Sequence, residues 1–227
     1  RGQHVFCEKP VALTLEQLDT VAAERQQAGV HLAAMMGLRY DPAFFCAWKA
    51  VQEGAVGQLR LLNTQKSYRL GRRRPYYHER ATYGGTIPWV GSHAVDWVQW
   101  FTAGRAFESV YATHTPAHNS DHGDLEASAL CHFTLADDVY ASVSLDYLRP
   151  AAAPSHGDDR IRVVGTEGIL EVCAGEVKLI AADGERRLTP SCDRQIFADF
   201  VAHITGETEA LIGPEDTIAV TRACLLA

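Results

Sequence analysis

The chain has 227 residues, 47% of them hydrophobic and 22% charged, with a formal net charge of −7. That balance suits a folded protein able to bury a good core. It argues against nucleic acid as a partner, whose phosphates demand a basic face, and no apolar run reaches membrane-spanning length. Six cysteines, Cys7, Cys46, Cys131, Cys173, Cys192 and Cys224, are scattered without a Cys-x-x-Cys pair, a pattern that fits reduced thiols and a cytoplasmic setting better than a disulfide framework.

In chain order, His4 to Cys7 is a short apolar run bounded by Pro10, consistent with a strand end. Thr14-Leu15-Glu16-Gln17 has the capping-box pattern of a helix start, and Gly29 is a natural helix stop. Val30 to Met36 is again strand-like. Strand, helix and strand predict a βαβ unit with a parallel pair. Arg39-Tyr40-Asp41-Pro42 is a turn that opens a second helix to about Gln52, with Phe44, Trp48 and Val51 on its apolar face. Beyond Gly57 the pattern changes to strands at Gln58–Leu70, Phe107–Thr115, Glu126–Thr134, Val139–Leu148, Ile161–Val164, Ile169–Val172 and Val177–Ile180. Short turns such as Asp137-Asp138 join several of them, which predicts a largely antiparallel open sheet of about six strands with helices on one face. The other face is expected to carry apolar and aromatic residues. Helices near Asp193–Ile204 and Glu215–Leu226 finish the chain. It opens on Arg1 beside a buried-looking strand and closes inside a helical pattern, so a fragment of a longer protein is expected.

The stretch Tyr83-Gly84-Gly85-Thr86-Ile87-Pro88-Trp89-Val90-Gly91-Ser92-His93-Ala94-Val95-Asp96-Trp97 sits between the strand runs. Two glycines permit a tight turn, and Pro88 suits a helix start. Trp89, His93, Asp96, Trp97 and Trp100 then follow at the spacing of one helix face. Two readings stand side by side: a core helix with one hydrogen-bonded histidine, or a site helix that delivers an imidazole and a carboxylate. The loop from Gly71 to Arg80, with Arg72, Arg73, Arg74, Tyr76 and Tyr77, can grip a carboxylate or line a sugar pocket. It reads equally well as a solvated loop at an oligomer contact. His114, His118 and His122 are spaced by four, but Pro116, Asn119-Ser120 and Gly123 break any helix that would align them as metal ligands. Cys7 lies near Lys9, which would favour a reactive thiolate, although a core cysteine is the better reading.

Glu8-Lys9-Pro10 at a strand end resembles the Glu-Lys-Pro motif of the glucose–fructose oxidoreductase / inositol dehydrogenase (Gfo/Idh/MocA) family. Arg39-Tyr40-Asp41-Pro42, Gly54-Ala55-Val56-Gly57-Gln58, Gly84-Gly85 through His93-Ala94-Val95-Asp96, and Arg160 to Gly168 resemble later family segments in the same order. The resemblance implies an α/β (α+β) protein. Residues 1–38 would be the last βαβ of a dinucleotide-binding Rossmann domain, and 39–227 a substrate-binding and oligomerisation domain. It implies an NAD(P)-dependent oxidoreductase acting on a sugar, polyol or related hydroxy compound, with NAD or NADP as cofactor and no metal. A homo-oligomer through the open sheet face is expected. No strand–Gly-x-Gly-x-x-Gly–helix unit is present, so the pyrophosphate cradle is expected to lie outside these residues.

Under the same resemblance, Lys9 and His93 are the catalytic candidates and Glu8, Lys9 and Pro10 the cofactor contacts. Trp89, Asp96, Arg39, Tyr76 and Tyr77 are assigned to the substrate. A lysine after a strand is usually a surface residue, yet the carboxyl end of a parallel strand is where open α/β sheets place ligands. A cis Lys9–Pro10 bond would aim the ammonium. His93 has the right chemistry for a base that takes a hydroxyl proton. The family pairs this histidine with an aspartate four residues earlier, and here that position is Trp89. Either Asp96 orients the ring instead or Lys9 takes over proton transfer. The competing reading is a noncatalytic binding or regulatory protein on the same fold.

Overall fold

The structure is a computed structural model and describes residues 2–227. Its opening unit is β1 (Val5–Cys7), α1 (Leu15–Ala28) and β2 (Leu32–Ala34), with β1 and β2 paired in parallel. Thr14 Oγ1 accepts from the Gln17 N–H at 3.2 Å. Gln17 Oε1 accepts in turn from the Leu13 N–H at 2.9 Å. The side chain therefore closes the turn one residue earlier than a strict capping box. Gly29, at φ 61°, ends α1 in the left-handed conformation. Asp41 caps α2 (Pro42–Gln52) by accepting from the N–H groups of Ala43 and Phe44 at 2.9 and 3.3 Å.

Eight strands form the large sheet: β3 (Leu59–Tyr68), β4 (Phe107–Thr115), β5 (Ser128–Leu135), β6 (Val139–Asp146), β7 (Gly157–Gly165), β8 (Gly168–Cys173), β9 (Glu176–Ala181) and β10 (Gly184–Leu188). Their order is β10-β9-β8-β7-β3-β6-β5-β4, antiparallel throughout except where β3 meets β6. The largely antiparallel open sheet is as expected, but it has eight strands and not about six. Strand β10, Gly-Glu-Arg-Arg-Leu, has no apolar alternation to read. It is an edge held by backbone pairing to β9 and by Arg187 on Glu176 at 2.6 Å, and its charges suit an exposed edge.

One sheet face is dry, with Leu62, Phe133, Val143, Val163, Leu170 and Leu179 all buried. Helix α4 (Ser92–Phe101) lies on β3 and β6, and α6 (Pro214–Leu226) lies on α4, α1 and β2. The short α3 (Arg80–Tyr83) and α5 (Ile196–Ile204) complete the helices. Stacked rings join α2 to α4: Phe44 on Trp97 with centroids 4.1 Å apart, and Trp48 on Trp100 at 4.8 Å.

The open face departs from expectation. Tyr111, Leu130, Tyr140 and Leu61 are exposed on the β4–β5–β6–β3 half. The β7–β10 half is ionic, with Arg162 on Glu171 at 3.2 Å and Lys178 on Glu171 at 3.2 Å. Alternation puts charged residues outward there, so the face is apolar over one half only.

A buried ion pair holds the opening unit to α4. Arg39 donates from Nε to both Asp96 oxygens at 3.0 Å and from Nη2 to Oδ1 at 2.6 Å. Its Nη1 reaches the Leu211 carbonyl and, at 3.3 Å, Asp216 at the start of α6. Removing one partner leaves the other charge buried and unpaired. Asp96→Ala is therefore expected to cost about 3–5 kcal/mol of stability, read from urea unfolding; a loss below about 1 kcal/mol would show that the pair does not hold these elements together.

Candidate active site

Two segments of distant origin meet at one small pocket. The first is the carboxyl end of β1, where Lys9 precedes Pro10 across a cis peptide bond. Lys9 Nζ donates to the Trp89 carbonyl and lies 5.2 Å from the centre of the Trp89 ring. The second is the start of α4. Residues Ile87–Gly91 form a π-helical turn, and α4 follows without a break. That wider turn changes the phase of the helix. Trp97 and Trp100 are buried against α2, while Trp89 is half-buried elsewhere, its ring edge-on to Tyr76 and Tyr77 at 5.9 and 5.3 Å. The single face expected for Trp89, His93, Asp96, Trp97 and Trp100 is thus split.

Lys9 and His93 line the same cavity of about 180 Å³, together with Tyr68, Arg73, Val90, Tyr147 and His156. Larger clefts of about 700 and 610 Å³ lie against α2 and on the open sheet face, away from both residues. Behind the pocket stands a residue that sequence reasoning missed. Lys66 is fully buried, its Nζ 2.6 Å from Asp159 Oδ2 and 4.9 and 5.2 Å from the Tyr68 and Trp97 rings. Alternation along β3 offered a signal, since Leu62, Thr64 and Lys66 share the inward face. Tyr68 continues the same alternation and Arg73 lies in the basic loop expected to grip a carboxylate, whereas Tyr147 and His156 had no comparable signature. The four come from three separate stretches that only the sheet brings together.

Burial and crowded positive charge set the protonation states. Burial pulls the Lys9 ammonium down to about 8, with Lys66 pushing the same way and Glu8 opposing. Burial, and then Lys9 and Lys66, hold His93 well below the usual imidazole range. His93 is accordingly neutral at neutral pH, and its Nδ1 is buried without a partner. Lys66 is lowered by burial, partly offset by Asp159. Cys7 is half-buried at the end of β1 and not part of the hydrophobic core, and burial raises its thiol, which speaks against an activated thiolate.

One site expectation needs correcting. Asp96 does not orient His93, and neither Asp96 nor Arg39 is open to a substrate: each is 1% exposed and they are bound to one another. Trp89, Tyr76 and Tyr77 form an aromatic wall beside the pocket, with the tyrosine centroids 4.2 Å apart, and are not in its lining. Glu8 is exposed and Pro10 half-buried, and neither lines the pocket. The histidines spaced by four share no helix. His114 is in β4, His118 has φ 66° in the following turn, and the His122 ring packs on His78 at 5.0 Å. Among the described residues no three side chains of ligand type lie close enough to hold a metal. No described helix is long and apolar enough to cross a membrane.

A βαβ unit docked on an open, mostly antiparallel sheet thus brings a strand-end lysine and a helix histidine to one cavity. Comparison with known proteins places this arrangement in a family. The GFO/IDH/MocA C-terminal domain family matches residues 46–171, and the chain belongs to that oxidoreductase family. A solved Thermotoga maritima structure, provisionally assigned as an oxidoreductase, is 52% identical with a TM-score of 0.95. It matches over 98% of this chain and 68% of its own. The uncharacterised oxidoreductase YrbE of Bacillus subtilis is 28% identical over 167 residues, 73% of this chain and 47% of YrbE. The scyllo-inositol 2-dehydrogenase (NADP(+)) IolW of Bacillus subtilis is 34% identical over 101 residues, 42% of this chain and 27% of IolW. The chain spans about half the length or less of these curated relatives.

Lys66 acts on the pocket through its charge. Lys66→Met is expected to raise the Lys9 pKa above about 8 and the His93 pKa with it. NMR titration of reductively methylated lysines and of the imidazole would measure both; unchanged values would mean that burial alone sets them.

Proposed function

We propose that this chain is the substrate-binding and catalytic part of an NAD(P)-dependent dehydrogenase acting on a sugar, polyol or related hydroxy compound. The observation that carries the reading is the shared pocket of Lys9 and His93. Residues 1–38 are read as the close of a dinucleotide-binding domain and 39–227 as the substrate domain, with copies associating through the apolar half of the open sheet face.

The chain's residues fit only one end of a dinucleotide. Lys9 offers a partly desolvated cation at the end of a parallel strand, where such sheets bind ligands. No two glycines stand in Gly-x-Gly spacing, so the described residues contain no pyrophosphate cradle. A nicotinamide bound at the pocket would exchange hydride with the substrate's carbinol carbon. One relative is named for NADP(+).

The proton is handled by the chain itself. With its pKa near 8, Lys9 has a usable neutral fraction at neutral pH and can take the hydroxyl proton at Nζ during oxidation. Its ammonium returns the proton during reduction. The hydrogen bond to the Trp89 carbonyl fixes where Nζ sits. His93 stays neutral and serves as a hydrogen-bond partner for the substrate hydroxyl. With Trp89 at the family's aspartate position and Asp96 held by Arg39, no carboxylate is left to raise its basicity.

In protein that includes the dinucleotide-binding domain, kcat/KM for oxidation is expected to rise with pH through about 8. Lys9→Met should lower it on the order of a hundredfold or more and abolish that rise, and His93→Ala should lower it on a similar scale. Normal rates in both variants would overturn the assignment, and no turnover of any hydroxy compound by the unaltered protein would favour the noncatalytic alternative. The 227-residue chain alone is expected to bind NADH or NADPH no better than about millimolar. One charged hydrogen bond from Lys9, roughly 1.5–3 kcal/mol, does not offset an association cost of at least about 4 kcal/mol. Calorimetric titration tests this, and a micromolar dissociation constant would refute it.

A further inference from the structure

We propose that the pocket is built for a substrate with an oxyanion beside its reacting hydroxyl, a hydroxy acid, sugar acid or sugar phosphate, and that Arg73 receives the anion. This rests on the dehydrogenase reading and narrows its substrate class.

The first observation is the sign of the lining. Lys9, Arg73, His93 and His156 supply nitrogen groups, Tyr68 and Tyr147 supply phenols, and no carboxylate is among them. The carboxylates of the surrounding segments are engaged elsewhere. Asp159 is held by Lys66 at 2.6 Å, and Asp158 by Arg149 at 3.3 Å and Arg160 at 2.6 Å. Glu126 accepts from Arg80, Tyr83 and the Thr86 N–H. A neutral polyol needs acceptors for its hydroxyl protons, and carboxylates are the strongest acceptors a protein has. No carboxylate lines this pocket.

The second observation is Arg73 itself. Its guanidinium carbon lies 4.5 Å from the Tyr147 ring centre and 5.6 Å from that of Tyr77. The two tyrosines therefore fix the guanidinium by stacking and leave its hydrogen-bonding edge unsatisfied. Arg73 Nε is buried without a partner, and its one side-chain hydrogen bond is a long 3.4 Å contact to the Arg69 carbonyl. Among the described residues no carboxylate is within ion-pair distance of Arg73, whereas Arg39, Lys66, Arg80 and Arg149 each have one. A half-buried cation whose donors are unmet is costly unless a ligand completes it. A carboxylate or phosphate matches a guanidinium edge with two parallel hydrogen bonds. The cavity, about 180 Å³, is below the range that holds drug-sized ligands and fits a small metabolite.

Equilibrium binding tests this without relying on turnover. In protein that includes the dinucleotide-binding domain, calorimetry would compare sorbitol, gluconate and sorbitol 6-phosphate, which share one carbon skeleton and differ in charge. At least one of the two anions is expected to bind about tenfold or more tighter than sorbitol, with a preference that weakens as salt rises. Arg73→Gln should remove the preference for the anions over sorbitol, and Arg73→Lys should restore part of it, which separates loss of charge from loss of fold. Tighter gluconate binding identifies a carboxylate, and tighter sorbitol 6-phosphate binding a phosphate ester. The proposal is overturned if sorbitol binds as well as both anions, if neither anion binds, or if Arg73→Gln keeps the preference. Oxidation of neutral polyols without anion preference would refute this proposal and leave the dehydrogenase reading standing. Anion binding with no oxidation of any hydroxy compound would do the reverse.

Discussion

The pocket depends on the buried pair of Arg39 and Asp96. Arg39 leaves the 3₁₀ turn Gly37–Tyr40 immediately after β2, and Asp96 lies one turn into α4. Joining them sets the opening βαβ unit against the helix that carries His93. The remaining guanidinium donors reach Leu211 and Asp216 and bring α6 into the same joint. Ala34 of β2 adds a second tie, donating its N–H to Thr217 Oγ1 of α6 at 3.1 Å. Removing two charges from water is expensive, so such a pair is weak evidence of net stabilisation. What it supplies here is geometry: Lys9 and His93 belong to elements that this joint holds in register.

Electrostatics at the pocket follow from how the carboxylates were allotted. Asp96 is taken by Arg39 and Asp159 by Lys66, so neither is free to stabilise an imidazolium or a second ammonium in the lining. Lys9 and His93 therefore feel burial and like charge together, and both shift toward their neutral forms. Burial alone would move them in the same direction. Lys66 adds to the effect from behind, where no substrate reaches it.

The legible parts of the chain were those fixed by local chemistry. Thr14 and Asp41 start helices because their side-chain oxygens meet free backbone N–H groups, and Gly29 stops one because it tolerates positive φ. Strand alternation gave the sheet and its covered face. The failures are pairings across long separations or changes of period. Arg39 and Asp96 are 57 positions apart, and nothing in either segment says that each will consume the other. The π-helical turn at Ile87–Gly91 breaks the regular spacing that put Trp89 and Trp97 on one face. Strand β10 is written in charges and forms only because β9 offers it an edge.

Position 89 makes two separate contacts, one through its side chain and one through its backbone. In the pattern this family resembles, a carboxylate there would raise the basicity of the following histidine. With tryptophan in its place, the side chain turns to Tyr76 and Tyr77, and the backbone carbonyl of the same residue accepts from Lys9. The side chain cannot tune His93, while the carbonyl, which any residue would supply, positions the lysine. A neutral imidazole and an amine that titrates near 8 can divide one proton transfer between them, the first holding the hydroxyl and the second taking its proton. That division needs no carboxylate from the protein in the pocket, and none lines it.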